Sequence, residues 1–215
     1  MKVLIPTLSY ELNTMVRKHR NAIGYSQEEF AFLIGRPLSE VQANEDLTSN
    51  WSYDINHTNF YARVLGKKPK GMFFSESFDE PSINITATKS ITKKTGVNYR
   101  GTGTFNGKQI DIESYSILIE SSYDTTDEDQ EIVSVLLDRW LRDGYFVNGI
   151  TGYALYQDLL GKQAAGEIEL PDSFRPILVA HAVIGMCSRR KKPKLLPQRD
   201  LPKTPEKWLL YKEDV

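Results

Sequence analysis

With 215 residues and 40% apolar content, the chain is long enough to bury two modest cores. A formal net charge of −1 excludes a general polycation, so nucleic-acid contact has to come from local charge. The single cysteine, Cys187, excludes an internal disulfide and a cysteine-rich zinc site.

The opening MKVLIPTLSY carries no apolar run of signal-peptide length, and no later run reaches membrane-spanning length. A cytoplasmic protein without membrane association is therefore expected. Pro6 interrupts a helix at the start, so residues 1–8 are expected to be an extended lead-in. The stretch from Val16 to Glu45, VRKHRNAIGYSQEEFAFLIGRPLSEVQANE, then predicts three short helices with two tight joints. The first is basic, with Arg17, Lys18, His19 and Arg20, and stops at Gly24. Ser26 opens the second, Glu29 completes a capping box, and Phe30, Leu33 and Ile34 form an apolar stripe. Gly35 closes that helix, and Pro37 suits the first turn of a third, Leu38 to Glu45.

Two short helices joined by a glycine-containing turn are a helix-turn-helix signature. Arg20, Gly24-Tyr25-Ser26-Gln27, Ala31, Gly35, Val41 and Glu45 stand in register, with Ala62, Leu65, Gly66, Met72 and Phe73 downstream. On these residues the segment 8–74 resembles the lambda-repressor-like (Xre/Cro-type) DNA-binding domain. The resemblance implies that Gln27 donates to a phosphate and that the third helix enters the major groove of double-stranded DNA. Leu38, Ser39, Gln42 and Ala43 would then lie against the bases, with Arg36 beside them. Ser39 and Gln42 can hydrogen-bond a base edge, and Leu38 can touch a thymine methyl. The resemblance further implies an ion pair between Arg20 and Glu45, and a homodimer on a two-fold site. Asn44 departs from the family, which has an aliphatic residue there, and Glu40 faces phosphates unfavourably. The alternative is a protein-interaction or antitoxin-like accessory module, with a protein partner and a degenerate helix-turn-helix.

Beyond Glu45 the loop DLTSNWSYD holds Trp51 and Tyr53, both expected to pack onto the body. Residues 75–84, SESFDEPSIN, are polar and acidic with a proline, and read as a linker. The period then changes to two in Ile83–Thr88 and Gln109–Glu113, and Tyr115–Ile119 is a further strand candidate. Asn106-Gly107 is a hairpin signal, so a small antiparallel β element is expected over 85–121. The glycine-rich TGVNYRGTGTFNG lacks the G-K-[ST] of a phosphate loop and reads as a turn.

Tyr123–Glu131 holds five acids and no base, and leads into an amphipathic helix, Ile132–Arg142, capped by Thr126 or Asp127. A second helix is expected around Thr151–Leu160. A third lies in PDSFRPILVAHAVIGMC, capped by Asp172 or Ser173, with Pro176 in its first turn. Two short strands follow around a proline-rich loop, the second including Trp208–Tyr211. Three helices and then a β-hairpin is the order of a winged-helix domain, and 122–215 resembles that class.

Between Ser173 and Arg199 there are seven basic residues and no acid: Arg175, Arg189, Arg190, Lys191, Lys192, Lys194 and Arg199. A basic patch in a neutral protein is the footprint of a DNA binder. His19, His57 and His181 stand apart without metal-ligand spacing, and no carboxylate pair sits in apolar surroundings. Cys187 reads as a partly buried thiol whose pKa Arg189 and Arg190 could lower. No catalytic residue, metal or cofactor is therefore expected. The expected class is α+β: an all-α helix-turn-helix domain (1–74), the linker (75–84), the β element (85–121) and a winged-helix-like domain (122–215). The expected role is non-enzymatic transcriptional regulation.

Overall fold

The computed structural model describes residues 1–75, 79–92, 96–105, 107–117, 124–198 and 209–214. The chain runs β1 (Lys2–Pro6), α1 (Thr7–Ile23), α2 (Gln27–Ile34), α3 (Leu38–Asn44), α4 (Thr58–Val64), β2 (Ser82–Thr92), β3 (Gly96–Phe105) and β4 (Lys108–Ile117). It continues with α5 (Asp127–Arg142), β5 (Ile150–Thr151), α6 (Gly152–Ala164), α7 (Pro176–Cys187), β6 (Leu195–Gln198) and β7 (Leu210–Glu213). Seven α-helices and two antiparallel sheets among the described residues make this the mixed α+β fold expected. Two compact units form, one from residues 1–26 and 39–122, the other from 27–38 and 123–215. The segment carrying α2 thus belongs with the C-terminal part of the chain.

The first unit is built on a sheet ordered β1-β2-β3-β4. Its first strand lies in the segment expected as an extended lead-in; β1 pairs with β2 from Lys2 opposite Thr86 to Pro6 opposite Ser82. Pro6 stands immediately before α1, where its missing N–H costs nothing, so the helix begins well ahead of Val16. Period-two alternation turns Ile83, Ile85 and Ala87 of β2 inward. They pack with Ile5, Tyr99 and Ile112 of neighbouring strands, with Tyr10 of α1 and with Leu47. Burial of a side chain such as Ile83 stabilises the unit by roughly 1.5–3 kcal/mol.

The glycine-rich stretch read as a turn is strand β3 instead. A Cβ on Gly101 would come within 2.9 Å of the Thr86 carbonyl, and one on Gly103 within 2.8 Å of Ile83 Cδ1. The glycines therefore mark close approach inside a sheet. Gly107, with φ +69°, lies between β3 and β4 where the hairpin was expected, while Asn106 is outside the described residues. Tyr53 packs as expected, whereas Trp51 is exposed.

The second unit joins α2, α5, α6 and α7 to a sheet ordered β5-β7-β6. Thr126 caps α5 reciprocally with Asp129, and the helix starts at Asp127, a full turn before the apolar pattern does. Thr151 caps α6. Pro176 opens α7, but neither Asp172 nor Ser173 is its cap residue: Arg175 is, with no side-chain capping bond. The amide of Ile177 instead donates to Glu29 Oε1 of α2 at 3.3 Å. α2 packs against α6 and α7, and its Phe32 ring stacks on Tyr211 of β7 with centroids 5.9 Å apart. A Cβ on Gly152 would stand 2.5 Å from the Phe32 carbonyl, so only glycine fits the start of α6 there. Residues 199–208, which include Arg199 and Trp208, lie outside the described residues.

Candidate functional site

α3 is a short helix with two unlike faces. Val41 and Asn44 point inward, while Ser39 and Gln42 are exposed on the opposite face, Leu38 is exposed at the start of the helix and Ala43 is half-buried. The spacing groups Val41 with Asn44 and Ser39 with Gln42 and Ala43, since residues three and four apart share a side of a helix. Directly after α3, Glu45 accepts from Arg20 Nε at 2.7 Å and from Arg20 Nη2 at 2.5 Å. Arg20 is 4% exposed and Glu45 2%. Their remaining bonding capacity is served as well. Tyr53 donates its hydroxyl to Glu45 Oε1 at 3.3 Å, Arg20 Nη1 donates to the Tyr25 carbonyl at 2.6 Å, and Tyr115 donates to the Glu45 carbonyl at 2.6 Å. Burial, reinforced by the Glu45 charge, raises the Tyr53 pKa well above its ordinary value, so this phenol remains a donor. The Arg20–Glu45 pair implied by the sequence register is present, in the bidentate and fully bonded form that a buried pair requires.

The other sequence-selected residues have more varied settings. Gln27, at the head of α2, and Arg36, just after it, are half-buried. Both belong with Leu38 to the second unit, whereas Ser39, Gln42 and Ala43 belong to the first. Arg175 grips Glu29, which is fully buried, through Nε at 2.5 Å and Nη2 at 2.6 Å. Folding also brings acids to a basic run that has none near it in sequence. Arg189 pairs with Asp138 at 2.5 Å, and Lys192 and Lys194 flank Asp214 at 3.5 and 3.3 Å. Arg190 and Lys191 are exposed and meet no carboxylate among the described residues. Arg199 lies outside those residues.

His181 is half exposed and 3.6 Å from Glu28. Burial pushes the Cys187 thiol up to about 11, opposite to the lowering that Arg189 and Arg190 suggested. Among the described residues no cluster of His, Cys, Asp or Glu could hold a metal ion, and no helix is long and apolar enough to cross a membrane.

Sequence reasoning missed one feature of the first unit. A cavity of about 210 Å³ is lined by Arg17 and Lys18 of α1, Asn44 of α3, Tyr115 of β4 and a set of aliphatic side chains. The sequence signal for it was Asn44, a polar residue at a core-facing position. Comparison with family models, curated proteins and solved structures gives no match.

Proposed function

We propose that the chain is a DNA-binding transcriptional regulator of the lambda-repressor-like type, acting by non-covalent contact with double-stranded DNA. The observation that carries this reading is α3. Its exposed face offers Ser39, Gln42 and Leu38, and the buried Arg20–Glu45 pair fixes the end of the helix. Ser39 and Gln42 supply hydrogen bonds to base edges, and Leu38 supplies an apolar contact. In the second unit, the order α5, β5, α6, α7, β6, β7 with sheet order β5-β7-β6 supports a winged-helix reading. There Arg190 and Lys191 serve as phosphate contacts. The test is binding to a selected duplex: Ser39→Ala and Gln42→Ala each weaken specific binding by roughly 1–3 kcal/mol and leave non-specific binding unchanged. Unchanged specific binding in both variants would remove α3 as the reader.

The regulator acts as a homodimer, and α5 offers the surface. Ile132 (42% exposed) and Val135 (58%) sit on its outer face, flanked by Glu128, Glu131 and Arg139. An antiparallel second copy about a two-fold axis sets Ile132 against Val135 and Glu128 against Arg139, the self-complementary pattern of an isologous contact. Sedimentation of Val135→Lys should report a monomer. Glu128→Arg should weaken the dimer, and Glu128→Arg combined with Arg139→Glu should restore it.

A second reading, the protein-interaction module, draws on the fact that Arg175 and Arg189 spend their charge on internal acids. It predicts the same dimer with no salt-dependent retention on DNA.

A further inference from the structure

We propose that the cavity of the first unit is a binding site for a small organic carboxylate, held by Arg17 and read by Asn44. Arg17 is only 6% exposed, and its guanidinium lies 3.6 Å over the centre of the Tyr115 ring. The ring covers one face of the cation and leaves its in-plane N–H donors to the side, the geometry in which arginine takes a carboxylate in bidentate fashion. Four acids line the cavity; Asp111 is exposed to solvent, and the other three are already engaged. Glu45 is taken by Arg20 and Tyr53, Glu113 by Lys18 at 2.6 Å, and Asp46 by Lys89 at 2.6 Å. Arg17 itself forms no ion pair among the described residues. Burial lowers its pKa, so the cavity penalises this charge until an anion joins it.

Asn44 is the second, independent observation. It is 3% exposed, lines the same cavity, and neither its Oδ1 nor its Nδ2 has a hydrogen-bond partner. Buried amides are almost always paired, so an unpartnered one calls for an explanation. An amide or hydroxyl group on the ligand satisfies both atoms, because Asn44 donates through Nδ2 and accepts through Oδ1. Ile5, Ile85, Leu47 and Ile112 supply an apolar wall for the body of the molecule. The volume falls below the range of about 300–1,000 Å³ typical of drug-sized ligands. The class that fits is a small monocarboxylate with a short apolar side chain and a neighbouring amide or hydroxyl.

The site is contained in the first unit and does not depend on the DNA reading. Calorimetric titration of the full chain with the N-acetyl derivatives of glycine, alanine, valine and leucine tests it. At least one should bind, and its carboxamide counterpart should bind at least tenfold more weakly. Arg17→Gln should weaken the acid at least tenfold. Asn44→Leu, which restores an aliphatic residue to this core position, should also weaken it tenfold while raising the melting temperature, so loss of binding there cannot be loss of fold. The proposal is overturned if none of the four acids binds at millimolar concentration, or if Asn44→Leu binds like the parent. It is equally overturned if inorganic phosphate binds as tightly as the best acid.

Discussion

Removing one member of the Arg20–Glu45 pair leaves the other as an uncompensated charge inside the first unit. Arg20→Met and Glu45→Gln should each cost about 3–5 kcal/mol in urea denaturation, whereas two distant exposed substitutions would barely register. The double variant should recover part of that loss, since the penalty lies in the stranded partner more than in the pair. A cost below about 1 kcal/mol for both single variants would mean that the network does not hold the end of α3. At this scale the sequence was informative where a known spacing ties two residues, as for Arg20 and Glu45. It was uninformative for Glu29 and Arg175, which are 146 positions apart and look like a capping residue and a free cation until the chain folds. The same limit explains why Arg189 looked available: Asp138 meets it only in three dimensions.

Elements whose ends carry their own signals were legible, and α5 is the clearest. The reciprocal Thr126–Asp129 cap was half visible as a choice between Thr126 and Asp127. Thr126→Ala should cost about 0.5–2 kcal/mol. The Asp129 carboxylate is held below its ordinary pKa chiefly by the amide of Thr126, which donates to Oδ2 at 2.8 Å. A depressed carboxylate stabilises the fold above its unfolded pKa and ceases to do so as pH falls through the folded value. The melting temperature of the parent should therefore decline below about pH 4, the unfolded Asp value. Asp129→Asn should flatten that decline, and an unchanged profile would detach the cap from acid sensitivity. By contrast β1 was hidden, because its pairing partner β2 lies far along the chain and period-two patterning in five residues is weak. The glycines of β3 misled for a related reason: glycine marks turns locally, but here it admits a neighbouring strand.

For the molecule as a whole, charge is the quantity that composition describes least well. A near-neutral protein with a basic run suggests a DNA footprint, and folding then divides that run into neutralised and open members. Each phosphate contact contributes about 0.9 to the slope of log affinity against log salt. Replacing Arg190 and Lys191 by alanine should flatten the slope by up to about 2 units and leave sequence preference intact. Replacing Arg189, Lys192 and Lys194, whose charges face Asp138 and Asp214, should change it much less. Equal effects from the two sets would show that the internal pairs open on DNA.

The placement of α2 in the second unit also bears on how the protein is made. Phe30, Phe32, Leu33 and Ile34 leave the ribosome before α6 and α7, against which α2 packs and which begin only at Gly152 and Pro176. At about 5–20 residues per second, translation reaches α7 roughly 7–30 s after α2. Throughout that interval the nascent chain carries an apolar helix without the helices it packs against in the folded unit. A premature stop between α2 and α7 would release a chain that still displays α2 without α7, so truncated products carry their own signal in this helix.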